Sequence, residues 1–282
     1  MTSAAGEKHI SKELEDKLYE QKLLEKLNCI EKMTVGRHDR NIFIIHPNHG
    51  MLYQYKELAR LLGKKYNVYG VKARGLAPGA TMPETHLQMV DEYVEEILKV
   101  QDRGPFILSG FCVGNLIAYI IAQKLEKRKH KIEYMLCLDA MHFIVDYTYR
   151  LMRMMKYLPR FIEKKFMKIT VENFERALRT SKFTLKESDE AGFRRVKVEK
   201  YMDIAGQHAF SFRAGLDAPM LIPHGLESDR PGATLEKFSR LTKGKATICK
   251  VPGTHTGMLE PPNVEHLAQL LLDTLAGEKP GN

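Results

Sequence analysis

The chain has 282 residues, 44% of them apolar and 28% charged, with a formal net charge of +9. That length suits one large α/β domain or two small ones with ample material for a core, and the composition excludes a disordered or fibrous chain. Four scattered cysteines, Cys29, Cys112, Cys137 and Cys249, make no C-x-x-C pair, so the pattern argues against a zinc site or disulfide framework and for a reducing, cytoplasmic setting.

In residues 7–32 the charged sequence carries Ile10, Leu14, Leu18, Leu24, Leu27 and Ile30 at near-helical spacing, which predicts one amphipathic helix ending before Gly36. Residues 1–38 are read as this helix or linker, and 39–282 as the main domain. Residues 41–46 (NIFIIH) form a buried-strand pattern, which leads through Pro47-Asn48-His49-Gly50 to a helix at about 52–62. The next strand is predicted at 66–71, followed by a turn-rich stretch, 73–79. A helix at about 85–101 gathers Leu87, Val90, Tyr93, Val94, Ile97 and Leu98 on one face.

The apolar run Pro105-Phe106-Ile107-Leu108 then enters Gly110-Phe111-Cys112-Val113-Gly114, and a helical pattern runs on to about residue 127. A nucleophile flanked at two positions on either side by glycine, between strand and helix, is the signature of a nucleophile elbow. The turn is too sharp for side chains at the glycine positions and holds the nucleophile clear of the sheet. Sulfur stands here in place of the usual serine oxygen, and the positive end of a helix favours its thiolate. Read alone, the motif fits either a catalytic thiol or an inert buried cysteine in a tight turn.

A further buried strand at 132–138 closes on Asp139. Strands alternating with helices in this way imply a parallel sheet covered on both faces, with the active site at the carboxyl ends of the strands. From 142 to 213 the alternation stops. Only helix-like segments, at 147–157, 171–179 and 188–201, occur there, and an insertion of about seventy residues reads as a helical lid. Strand patterns resume at 219–222 and 247–251, and a last helix at about 264–275 ends near Gly277.

Five blocks taken in order resemble the thioesterase domains of non-ribosomal peptide and polyketide synthetases, which have the α/β-hydrolase fold. They are His46-Pro47-Asn48-His49-Gly50, Tyr69 through Leu76, Gly104 through Gly114, Leu138-Asp139, and Val251-Pro252-Gly253-Thr254-His255. The resemblance covers about residues 40–275 and implies a mostly parallel central sheet flanked by helices, with a helical lid insertion. It implies a triad of Cys112, Asp139 and His255, in which His255 moves the proton and Asp139 orients it. The oxyanion hole would be the backbone N–H groups of Val113 and Asn48. His46 and His49 flank that loop and have a packing role as their plain alternative. For the acid, Glu227 and Asp229 in the later segment His224-Gly225-Leu226-Glu227-Ser228-Asp229 compete with Asp139, because many α/β hydrolases place it after the following strand. The chain departs from the family in Cys112 for serine, Asn115 for a frequent glycine and Thr254 where an acid is common.

The function so implied is release of an acyl or peptidyl chain from a phosphopantetheinyl carrier protein through an acyl-thioester on Cys112. Cyclisation or transfer to an amine or hydroxyl is expected; the alternatives are a hydrolytic or editing thioesterase and a small-molecule esterase using cysteine, with a non-enzymatic binding module as a third class. The partner is a carrier domain upstream in the same polypeptide, and no metal or cofactor beyond the carrier's phosphopantetheine arm is expected. Much of the basic excess lies between Tyr149 and Lys200, but no nucleic-acid motif accompanies it. No apolar run reaches the length of a membrane span.

Overall fold

The apolar runs that alternate with helical periodicity become neighbouring strands of one sheet. The computed structural model describes residues 20–75, 81–140, 215–228 and 232–277. Its strands are β1 (Ile30–Lys32), β2 (Asn41–Ile45), β3 (Asn67–Val71), β4 (Phe106–Phe111), β5 (Ile132–Leu138), β6 (Met220–Gly225) and β7 (Ala246–Val251). They stand in the order β1-β3-β2-β4-β5-β6-β7. β1 runs antiparallel to β3 and every other neighbouring pair is parallel. The helices are α1 (Lys56–Leu62), α2 (His86–Val100), α3 (Gly114–Lys127), α4 (Gly232–Ser239) and α5 (Asn263–Ala276). This is the α/β architecture expected from the sequence, a mostly parallel sheet flanked by helices.

In β2 the four consecutive residues Ile42, Phe43, Ile44 and Ile45 are all buried, so side chains of both parities are covered, as a parallel strand beneath helices requires. Phe43 stacks on Tyr69 of β3 (5.5 Å between centroids) and meets Phe106 of β4 at 6.2 Å, which ties three strands together on one face. Helix α2 begins where Thr85 accepts a hydrogen bond from Gln88 N–H (3.2 Å), and buries Met89, Val90, Tyr93, Val94 and Ile97. Between β2 and β4 the strand order reverses, and at such a switch point the loops leaving the carboxyl ends diverge to leave a crevice. Asn48 and Cys112 lie on the two loops that leave it.

Several elements differ from expectation. Residues 20–24 are helical, but 30–32 are strand and not the end of the predicted 7–32 helix. Buried Glu96 of α2 accepts from both Asn28 N–H and Cys29 N–H at 2.8 Å, turning the chain so that Ile30 pairs with Val71. The spacing of Leu27 and Ile30 therefore comes from a turn and a strand. The helix predicted at 52–62 is a 3-10 turn, Tyr53–Tyr55, followed by α1. Strand β6 runs on to Gly225, three residues past its predicted end, which carries His224 into the sheet. Helix α4 was not foreseen. Residues 7–19 of the first predicted helix, the three helices of the predicted lid and Asp229 lie outside the described residues. Among the described residues no helix is long and apolar enough to cross a membrane.

Candidate active site

Register brings two of the predicted site residues level. Phe111 pairs with Leu138, so Cys112 and Asp139 leave adjacent strands side by side, and Cys112 N–H donates to the Leu138 carbonyl at 3.3 Å. Both residues have positive φ, 57° at Cys112 and 39° at Asp139, a left-handed conformation that costs a non-glycine residue roughly 1–2 kcal/mol. The elbow glycines are close-approach positions. A Cβ on Gly110 would lie 2.4 Å from the Gly114 carbonyl carbon, and one on Gly114 would lie 2.7 Å from Ile45 O and 2.8 Å from His46 O. Any side chain at 114 would thus push the start of α3 away from the loop carrying Asn48. Cys112 is only 9% exposed, more enclosed than an elbow alone predicts.

Asn115 couples the two strained residues. Its Nδ2 donates to the carbonyls of Cys112 (3.2 Å) and Leu138 (2.9 Å), while its Oδ1 is buried without a partner among the described residues. This amide therefore joins the backbone carbonyl of the candidate nucleophile to that of Leu138, the residue before the candidate acid.

Asp139 is fully buried, and among the described residues its carboxylate collects four donors. His255 Nδ1–H and Ser228 Oγ–H (3.2 Å) reach Oδ2; His224 Nδ1–H (2.6 Å) and Gly225 N–H (3.4 Å) reach Oδ1. A buried charge needs such compensation. Because an ionised carboxylate only accepts, both imidazoles present Nδ1–H to it, leaving each Nε2 as the basic nitrogen. In the segment that offers the rival acids, the His224 Nδ1–H, the Gly225 N–H and the Ser228 hydroxyl donate to Asp139. Glu227 is exposed on the turn after β6. Sequence reasoning missed His224; the available signal was a histidine two residues beyond a predicted strand at the carboxyl edge of the sheet.

His255 sits on the loop after β7, with its ring stacked on Phe111 at 4.3 Å and 21° between planes, next to the nucleophile in sequence. Gly253, with φ 100°, makes the turn that aims it; a Cβ there would meet Asn263 Nδ2 at 2.7 Å. Thr254 Oγ1 accepts from the N–H of Gly257 at 3.1 Å, the first residue of the 3-10 turn Gly257–Leu259. A carboxylate at position 254 would serve the same purpose, so the threonine is a local substitute.

The loop after β2 is fastened by two buried histidines. His46 Nδ1–H donates to Pro47 O (2.6 Å) and its Nε2 accepts from Tyr93 OH (2.8 Å). His49 accepts from Met51 N–H on Nδ1 (3.2 Å), donates from Nε2 to Gln54 Oε1 (2.9 Å) and stacks on Tyr53. Burial pushes both down to about 4, so near neutrality they are uncharged and in fixed tautomers. Among the described residues neither the Asn48 nor the Val113 N–H donates to a backbone carbonyl. Burial holds the other cysteines as thiols: Cys29 is pushed up to about 12, Cys249 to about 11, and Cys137 higher still. Among the described residues no cluster of three or more His, Cys, Asp or Glu side chains could hold a metal ion.

A sequence model of the thioesterase-domain family matches residues 40–275. The chain is 30% identical over 105 residues to a dimodular nonribosomal peptide synthase of Bacillus subtilis, covering 36% of this chain and 4% of that protein. It is 22% identical over 273 residues to an aspulvinone E synthetase of Aspergillus terreus, covering 86% of this chain and 29% of that one. The chain thus spans less than a third of the length of these relatives. The structure of the Vlm2 thioesterase domain bound with a dodecadepsipeptide superposes with a TM-score of 0.67 at 22% identity, covering 87% of this chain and 96% of that one, a likeness of fold.

Proposed function

The chain belongs to the thioesterase-domain family, and we propose that it releases an acyl or peptidyl chain from a phosphopantetheinyl carrier domain by way of an acyl-thioester on Cys112. The observation that carries this reading is the Asp139–His255 hydrogen bond, with the His255 ring lying against the elbow residue Phe111. His255 Nε2 takes the proton of Cys112 Sγ; sulfur attacks the thioester carbonyl; the N–H groups of Val113 and Asn48 receive the oxyanion. The carbon–sulfur bond to the carrier's arm then breaks, and His255 protonates the departing thiolate. In the second half, His255 takes a proton from the acceptor hydroxyl or amine and returns it to Cys112 Sγ as the product leaves. Asp139 holds the tautomer and stabilises the imidazolium in both halves.

Sulfur at position 112 favours transfer or cyclisation over simple hydrolysis. Exchange of one thioester for another is nearly neutral, so the acyl-enzyme keeps its activation for attack by a weak or hindered internal nucleophile. An oxygen ester on serine would lie lower in free energy and lose part of that activation. The relatives named as synthetases, and a depsipeptide bound to a domain of this fold, support a carrier upstream in one polypeptide. In this reading the chain at about 142–213 selects the acyl group. The test is loading: a carrier-borne acyl thioester should add the acyl mass to the protein while a simple p-nitrophenyl ester does not. Equal loading from both would point to a small-molecule esterase.

A further inference from the structure

The triad in the proposed mechanism uses one histidine, but Asp139 binds two. We propose that His224 is a positioning residue: its Nδ1–H pins Oδ1 of Asp139 so that Oδ2 meets His255, and by sharing the carboxylate it weakens the support that Asp139 gives to a protonated His255. The inference rests on the assignment of Asp139 and His255 in the proposed function.

Three observations carry it. His224 Nδ1 lies 2.6 Å from Oδ1, on the oxygen opposite the one that His255 uses. Its backbone is fixed in β6, where His224 pairs with Lys250 of β7 and the preceding Pro223 carbonyl accepts Asp139 N–H at 2.8 Å. The turn after it is locked to the His255 loop, since Glu227 N–H donates to Gly253 O at 3.1 Å. One rigid strand end thus sets both the carboxylate and the loop of the second histidine. A carboxylate that already accepts from His224, Ser228 and Gly225 N–H has less charge to offer His255, so these donors lower the basicity of His255. Among the described residues the ionisable groups on the elements that meet the carboxylate are His224 on β6, His255 after β7, Cys112 at the elbow and Glu227 on the exposed turn; His46 and His49 belong to the loop after β2.

The experiment is an NMR titration of the His255 ring in the full chain carrying Cys112→Ala, which removes coupling to the thiol, with position 224 as His, Leu, Asn or Gln. Losing the hydrogen bond from His224 returns charge on the carboxylate to His255 and should raise the His255 midpoint by about half a unit or more in His224→Leu. His224→Asn places an N–H where Nδ1 was and should return the midpoint to the parent value. His224→Gln, with its amide one carbon further out, should not. Should the leucine variant fail to fold, the Asn and Gln pair decides alone. An unmoved midpoint in Leu, or the same midpoint in Asn and Gln, would overturn the assignment. The titration needs no substrate, so its outcome is separate from that of the loading test: failure to load counts against the proposed function, an unmoved His255 against the role of His224.

Discussion

At the scale of residues, the site is held by contacts whose loss has different consequences. Asn115 donates twice and, among the described residues, leaves one acceptor unpaired, and each carbonyl that it serves has a backbone donor as well. Asn115→Ala therefore removes two hydrogen bonds and one orphan, and should change stability by no more than about 1 kcal/mol. Asn115→Asp would aim a buried negative charge at two carbonyls and should cost about 3 kcal/mol or more. Urea denaturation of both variants checks the contrast; equal effects would mean that the amide does not bridge the two strand ends. Asp139→Asn puts an N–H or a weaker acceptor against two imidazole N–H groups. It should slow loading of Cys112 by on the order of 10²- to 10⁴-fold, while Glu227→Gln on the exposed turn stays within about twofold. Single-turnover loading rates read both, and the reverse order would move the acid to the turn after β6.

At the scale of elements, the loop after β2 has its own pH signature. His46 and His49 are held at about 4 in the folded chain against an ordinary value of 6.5, so the unfolded chain binds more protons between these limits. Stability is then fully present above about 6.5 and falls as pH drops towards 4, by up to about 1.4 kcal/mol per pH unit for each histidine. Urea midpoints across that window should show the slope, and His49→Gln, which keeps an amide to face Gln54, should flatten it. A parallel slope in the variant would show that His49 does not titrate on unfolding. The elements legible in sequence are the six strands β2 to β7, the longer helices α2, α3 and α5, and α1 within a longer predicted helix. Strand β1 and α4 are not. β1 is three residues long and owes its course to Glu96, sixty-odd positions on, while α4 has only Leu235 and Phe238 as described buried contacts, too few for a period.

At the scale of the whole molecule, every candidate residue leaves the same edge of the sheet: Asn48 after β2, Cys112 after β4, Asp139 after β5, His224 at the end of β6 and His255 after β7. Strand order and register make that convergence, and the sequence shows it because Asp139 closes an apolar run, Cys112 stands between the two elbow glycines, and Asn48 and His255 lie within four residues of a strand pattern. His224 is not legible in sequence because Pro223 interrupts its strand and ends the apolar run at Ile222, and because sharing of a carboxylate is a property of side chains that meet only in space. If sulfur serves to preserve activation, Cys112→Ser should still load but stall as a stable ester or divert to the free acid, read by product analysis. The same product at a comparable rate would make sulfur incidental. The most direct test of the central claim is peptide mass mapping after incubation of the full chain with a carrier-borne acyl thioester. The account predicts a single acyl adduct on Cys112, absent in Cys112→Ala and slowed by several powers of ten in His255→Ala. An adduct that persists in Cys112→Ala, or maps to Cys249 or another residue, would contradict it.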